Sequence, residues 1–293
     1  MAHTDIHFVY FGGEPLGVPV LEELKAVGLL PRLVVASPDK PTGRKQELTS
    51  PPVKKWAEAN NIEVFQPKTY KDDSAKSKLS ADTWDLFVVV AYNFILPEWL
   101  LSIPTYQTIN LHPSLLPELR GASPIRTAIL NDLREDIGVT IIKLDSEMDH
   151  GPILEQMHMP IADENWPLSG PELDLALARM GGSLLGDTIP SWIAGDIELQ
   201  EQPHELASYC NRLQKSDSEI LLDPHNLPTG KEGRKAWLKI NAFTDIGETF
   251  FIHNSKRVKI TKAEFAGGKL RLLRVIPEGK KEINFTQYLN SIT

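Results

Sequence analysis

Apolar residues come in short, nearly unbroken runs over the first half of the chain: His7–Phe11, Leu33–Ala36, Ile62–Phe65, Leu86–Ala91, Thr108–Leu111 and Val139–Leu144. They are rich in β-branched and aromatic residues and too short for helices, so each predicts a strand buried on both faces. Between them lie segments of helical pattern, among them Val18–Val27, Pro52–Asn60 and Pro124–Asn131. Buried strands alternating with helices predict an α/β fold with a mostly parallel sheet. In such sheets ligands bind beyond the carboxyl ends of the strands.

The pattern changes later in the chain. A long helix is predicted from about Gly170 to Trp192, and the polar stretch through residues 193–205 reads as a linker. Beyond it come Phe250–His253, Val258–Thr261 and Leu270–Val275, with Gly267-Gly268 as a turn signal and a short helix near Phe285–Asn290. These predict a small antiparallel β domain over residues 206–293, after a catalytic-type α/β domain over residues 1–192.

Composition narrows the function classes. No apolar run approaches the roughly 20 residues of a transmembrane helix, and the N-terminal stretch lacks a secretory signal pattern. The single cysteine, Cys210, excludes an intramolecular disulfide framework and points to the cytoplasm. The net charge of −8 argues against a generic nucleic-acid binder, but it is unevenly placed. Residues 1–211 carry 16 Lys and Arg against 30 Asp and Glu, whereas residues 212–293 carry 15 against 9. A basic C-terminal part suits contact with a polyanion.

Several motifs are missing. The first strand is followed by Gly12-Gly13-Glu14-Pro15-Leu16-Gly17, which is not the glycine pattern of a dinucleotide site. No phosphate-loop motif occurs, and no Cys/His cluster has metal-ligand spacing, so no metal is expected.

The chemistry concentrates in Thr108–Pro117 (TINLHPSLLP), followed by Arg120-Gly121 and Pro124. Alternate residues of a strand share a face, so Asn110 and His112 point together, and Pro113 ends the strand beside them. An amide donor next to an imidazole suits a reaction that builds negative charge on oxygen while moving a proton. The acidic segment Leu144–Ile153 (LDSEMDHGPI) follows the sixth strand, at the same sheet edge. A carboxylate delivered from it could orient His112 and favour its charged form.

Taken together, N-x-H-P-S-L-L-P-x-x-R-G-x-x-P from Asn110, G-V-T at Gly138–Thr140 and D-x-x-x-D-x-G at Asp145–Gly151 resemble the formyltransferases that use 10-formyltetrahydrofolate. Phe11–Leu16 (FGGEPL) is similar to the family's opening segment. Ser37–Arg44, Ser50–Lys54, Phe65–Pro67, Ala91–Pro97 and Leu270–Lys281 resemble its methionyl-tRNA members. The resemblance spans nearly the whole chain and is densest over residues 7–155.

That resemblance implies a Rossmann-like formyltransferase domain and a small, truncated OB-like β-barrel after it. It implies catalysis by Asn110, His112 and Asp149, with Phe94, Ile95, Leu96, Asp145 and Ser114 holding the folate. Arg44, Lys45 and Leu16 would meet the acceptor, and the C-terminal domain would touch tRNA. The implied reaction moves the formyl group of 10-formyltetrahydrofolate, a co-substrate, to the α-amino group of charged initiator methionyl-tRNA, in a monomeric cytoplasmic enzyme of translation initiation. The chain departs from the family at Gly43–Leu48, where positive charge is reduced, at Leu16 in place of the usual Phe, and in the nearly adjacent strands of its C-terminal part. Other readings remain open: formylation of a small amine such as a nucleotide-linked amino sugar or glycinamide ribonucleotide, hydrolysis of formyl-folate, or a non-catalytic RNA-binding relative.

Overall fold

A computed structural model describes residues 6–43, 46–246 and 248–292. The chain runs β1 (Phe8–Gly12), α1 (Gly17–Ala26), β2 (Leu33–Ala36), β3 (Lys40–Thr42), β4 (Glu47–Thr49), α2 (Pro52–Ala59), β5 (Glu63–Phe65), α3 (Asp73–Leu79), β6 (Leu86–Val90), α4 (Glu98–Leu101) and β7 (Thr108–His112). It continues through β8 (Arg120–Gly121), α5 (Pro124–Leu130), β9 (Gly138–Lys143), β10 (Ile153–His158), α6 (Gly170–Ala194) and β11 (Tyr209–Cys210). The last elements are α7 (Gly230–Ala242), β12 (Phe250–His253), β13 (Lys256–Ala266), β14 (Lys269–Pro277), β15 (Ile283–Asn284) and α8 (Phe285–Asn290). Among the described residues no helix is long and apolar enough to cross a membrane.

The chain forms two compact units that interleave along the sequence. The first holds residues up to Arg120, Gly138–Met159 and Leu175–Tyr209; the second holds Gly121–Ile137, Pro160–Asp174 and the chain from Cys210 onward. A contiguous division at residues 192 and 206 was expected. The second unit takes in residues 121–137 because α5 packs against α7.

A seven-stranded sheet in the order β10-β9-β7-β6-β1-β2-β5 forms the frame of the first unit. Strands β5, β2, β1, β6 and β7 are parallel; at one edge β9 runs antiparallel to β7, and β10, antiparallel to β9, returns to the common direction. The central strands β1, β2 and β6 are buried at every position, as their unbroken apolar runs require. One face carries Val9, Phe11, Leu33, Val35, Phe87 and Val89, packed with Leu79, Trp84 and Leu100 into a single core. On the other face Leu111 lies directly under Gly181 of α6, where any larger side chain would overlap it. Register places Asn110 beside Val89 and Ile142, so Asn110 and His112 belong to the first face.

The second unit is organised around an open antiparallel sheet, β12-β13-β14-β15. Gly267 and Gly268, both at positive φ, make the β13–β14 turn. The strands do not close into a barrel among the described residues. Instead α7 and α8 cover one side, burying Ala236, Ile240, Phe285 and Tyr288 with Phe251, Val258, Ile260, Leu270, Leu272 and Val275.

Candidate active site

Strand β7 carries the predicted chemistry to the sheet edge. It runs one residue further than the apolar pattern alone indicates, because His112 keeps its ladder position opposite Thr140 on β9. Pro113 follows and cannot donate to the ladder. Thr140 then braces the turn that Pro113 begins: its hydroxyl donates to the Ser114 carbonyl at 2.7 Å and accepts from the Leu116 amide at 3.0 Å.

His112 is 4% exposed and both ring nitrogens face acceptors. Nε2 lies 3.0 Å from the Leu119 carbonyl oxygen, which can only accept, so Nε2 carries a proton. Nδ1 lies 3.5 Å from a carboxylate oxygen of Asp149, whose side chain is 14% exposed. The imidazolium form satisfies both partners, and Nδ1 is the nitrogen left to exchange a proton. The Asn110 side chain, half-buried on the same face, makes no hydrogen bond to another described residue. Its amide is therefore available to a bound molecule.

Asp149 reaches His112 from the loop between β9 and β10. Its backbone has φ +51, in the left-handed region that non-glycine residues seldom adopt. Gly151 allows that loop to pass close to β9, since a Cβ there would lie 1.8 Å from the Lys143 carbonyl oxygen. Asp145 starts the loop by accepting from the Glu147 amide at 2.9 Å and from His150 Nδ1 at 2.8 Å.

The other predicted folate residues surround the ends of β1 and β6. The Ala91 carbonyl, at a residue with φ +47, accepts from the amides of Gly13 and Glu14 and so ties the two strand-end loops together. Asn93 donates to the Glu14 carboxylate across the same gap. Leu16 is half-buried at the start of α1. Phe94 packs its ring 5.4 Å from Tyr92, Leu96 joins the core, and Ile95 is left 86% exposed. Burial pushes the Tyr92 hydroxyl up to about 12, so it stays neutral and bonds the Tyr70 hydroxyl at 2.8 Å. A large exposed aliphatic side chain beside half-buried aromatics makes an apolar lip suited to a flat heterocycle. Ser114 is placed differently: its hydroxyl donates to the Glu118 carbonyl at 2.6 Å, inside its own turn.

Among the acceptor residues, Arg44 and Lys45 lie outside the described residues. Their flanks form the hairpin of β3 and β4. Its base is clamped by Asp39, which receives Lys54 Nζ at 3.0 Å and Gln66 Nε2 at 2.7 Å. Those hydrogen bonds, from Gln66 first and then Lys54, hold the Asp39 carboxyl below the usual carboxylate range.

Sequence reasoning missed Leu119 and Gln202. Leu119 acts through its backbone carbonyl, which no side-chain pattern encodes. Gln202 is 3% exposed, and its amide donates to the Asp149 carbonyl at 3.0 Å and the Gly151 carbonyl at 2.7 Å. It lies in the segment read as linker, about fifty residues from its partners. Elsewhere, a cavity of about 450 Å³ in the second unit is lined by Asp132, Arg134, Asp163, Trp166 and Arg234. It holds none of the predicted site residues. Among the described residues no three His, Cys, Asp or Glu side chains gather as a metal site would require.

Comparison with known proteins identifies the family. The family model described as formyl transferase matches residues 6–167. A methionyl-tRNA formyltransferase of Herpetosiphon aurantiacus is 43% identical over 217 residues, covering 73% of this chain and 69% of that protein. One of Halalkalibacterium halodurans is 36% identical over 256 residues, covering 87% and 77%. Among solved structures, the N-formyltransferase from Helicobacter canadensis in complex with folinic acid and dTDP-3-aminofucose matches with a TM-score of 0.62. It covers 89% of this chain and 90% of its own, at 22% identity, a level that speaks for the fold alone.

Proposed function

The chain belongs to the formyl transferase family, and from that premise we propose that it moves the formyl group of 10-formyltetrahydrofolate to the α-amino group of methionyl-tRNA. The observation that carries the chemistry is the His112–Asp149 pair beside the Asn110 amide, which has no hydrogen-bond partner among the described residues, at the ligand edge of the sheet. The named relatives and the basic C-terminal part support the acceptor.

The amine nitrogen attacks the formyl carbon and the carbonyl π electrons move to oxygen. Asn110 and protonated His112 stabilise the negative charge that develops there. Asp149 holds His112 and helps the proton leave the attacking amine for the departing folate nitrogen, as the carbon–nitrogen bond to folate breaks. With Nε2 tied to Leu119, Nδ1 is the ring nitrogen that takes part. Phe94, Ile95, Leu96 and the Asp145 loop hold the folate co-substrate, which supplies the activated formyl group. Leu16, Arg44 and Lys45 are the residues that bind the aminoacylated end of the tRNA, and the C-terminal unit meets its phosphates.

The test is formyl transfer from 10-formyltetrahydrofolate to charged initiator methionyl-tRNA, compared with free methionine, a nucleotide-linked amino sugar and glycinamide ribonucleotide. Formylation of methionyl-tRNA alone is expected. Transfer only to a small amine would leave Asn110, His112 and Asp149 in their roles and remove the tRNA assignment.

A further inference from the structure

Arg120 follows Leu119, the residue whose carbonyl fixes His112. Arg120 is 2% exposed, and among the described residues no carboxylate pairs with its guanidinium. Nε and Nη2 donate to Gln202 Oε1 at 3.1 and 2.6 Å, and Nη2 also donates to His204 Nδ1 at 2.8 Å. Nη1 reaches the Tyr209 hydroxyl at 3.4 Å. Burying a guanidinium among neutral acceptors costs more than burying an apolar chain of similar size. Packing alone therefore does not account for it.

What the guanidinium holds lies on the catalytic loop. Because Arg120 can only donate, it fixes the Gln202 amide with its oxygen inward and its NH2 toward the loop. That NH2 bridges the carbonyls on either side of His150, those of Asp149 and Gly151. The His204 ring stacks flat on the His150 ring, centroids 4.0 Å apart with planes 2° from parallel. All three consecutive residues are thus gripped through groups that Arg120 orients. Gln202 is itself anchored, since Gln200 and Ile153 exchange backbone hydrogen bonds at 2.8 and 2.9 Å. A left-handed Asp149 persists only where its surroundings over-determine it.

We propose that Arg120 and Gln202 are positioning residues for the formyl-transfer site. The dipeptide Leu119-Arg120 sets both halves of the catalytic pair, His112 through a carbonyl and Asp149 through the Gln202 amide. The inference rests on the formyl-transfer reading above. Neither side chain touches substrate.

The experiment compares full-length wild type with Gln202→Glu and Gln202→Met, measuring kcat, KM for both substrates and the thermal midpoint. Gln202→Glu keeps an acceptor for Arg120, adds a carboxylate to it, and replaces the NH2 with an oxygen facing two carbonyls. It is expected to melt no lower than wild type while kcat falls about 10- to 100-fold and KM values stay within about threefold. Gln202→Met is expected to lose both thermal stability and kcat. If Gln202→Glu turns over like wild type and only Gln202→Met is impaired, Gln202 is merely the structural partner of Arg120, and the proposal fails. Wild-type kcat in Gln202→Met, assayed well below its midpoint, overturns it as well, even if the Glu variant does not fold. Wild type that formylates nothing marks failure of the functional reading instead. Wild type that formylates only a small amine leaves the comparison intact with that amine as acceptor.

Discussion

The Leu119 carbonyl oxygen accepts from Nε2 of His112 at 3.0 Å, and this one bond decides which ring nitrogen is turned toward Asp149. It fixes the proton on Nε2 and turns Nδ1 toward Asp149. His112→Ala is therefore expected to remove at least about 100-fold of kcat, the low end of acid–base assistance, while the fold survives. Substantial residual turnover with an unchanged circular dichroism spectrum would take His112 out of the mechanism.

Asp149→Asn keeps the shape of the loop and removes the charge beside Nδ1. Turnover is expected to drop by about 10²-fold or more, with folate affinity changed little. Equilibrium binding of a non-reactive folate separates the two effects. A matched loss of folate affinity would make Asp149 a binding residue.

Gly151→Ala tests how tightly the loop must pass the sheet. The added Cβ meets the Lys143 carbonyl 1.8 Å away, which is backbone and cannot rotate aside. The loop must move, so kcat is expected to fall along with a stability loss of about 1–3 kcal/mol. A urea titration and a rate assay on the same sample suffice, and wild-type behaviour in both would show that the loop is freer than its geometry indicates.

Arg44→Ala bears on the acceptor. Loss of one phosphate contact is expected to weaken tRNA binding and reduce the slope of log affinity against log salt by about one. An unchanged slope would mean that this hairpin does not meet phosphate.

Arg126 sits deep in the second unit, bonded to Asp174 at 2.6 and 2.7 Å and to Asp245 at 2.8 Å. Burial works against its charge, but the two aspartates outweigh burial and push its pKa up. Arg126→Leu leaves two carboxylates facing each other without their cation. The expected cost is about 2–4 kcal/mol of unfolding free energy, below the full buried-pair value because Asp174 and Asp245 are 30% and 42% exposed. A loss under about 0.5 kcal/mol in urea would show that solvent already screens the cluster.

The elements most readily legible were those whose burial is uniform. Phe8–Gly12, Leu33–Ala36 and Leu86–Val90 are buried at every position and read directly as strands. Strand Ile153–His158 escaped because only its first two residues are buried; the remaining four face water and dilute the apolar signal. Helix Gly230–Ala242 escaped because three lysines and an arginine mask a narrow apolar stripe around Ala236 and Ile240. The nearly adjacent strands of the C-terminal part are one long hairpin, Lys256–Ala266 and Lys269–Pro277, whose polar positions broke the pattern into shorter pieces.

By itself the sequence determined the alternation of strands and helices, the pairing of Asn110 and His112 on one strand face, and an acidic loop at the same sheet edge, while the choice of Asp149 within that loop came from the family resemblance. The elements, the strand face and the loop's position follow from periodicity and order along the chain. Only the tertiary structure decided which ring nitrogen of His112 is free, how Asp149 is held, and that Arg120 and Gln202 stand behind it. Those depend on backbone carbonyls and on side chains about fifty to eighty residues apart, and their meeting is set by how the sheet and the chain after α6 pack. Local pattern carries no record of such distances, because the free energy that fixes them comes from burial and hydrogen bonding between segments rather than within one.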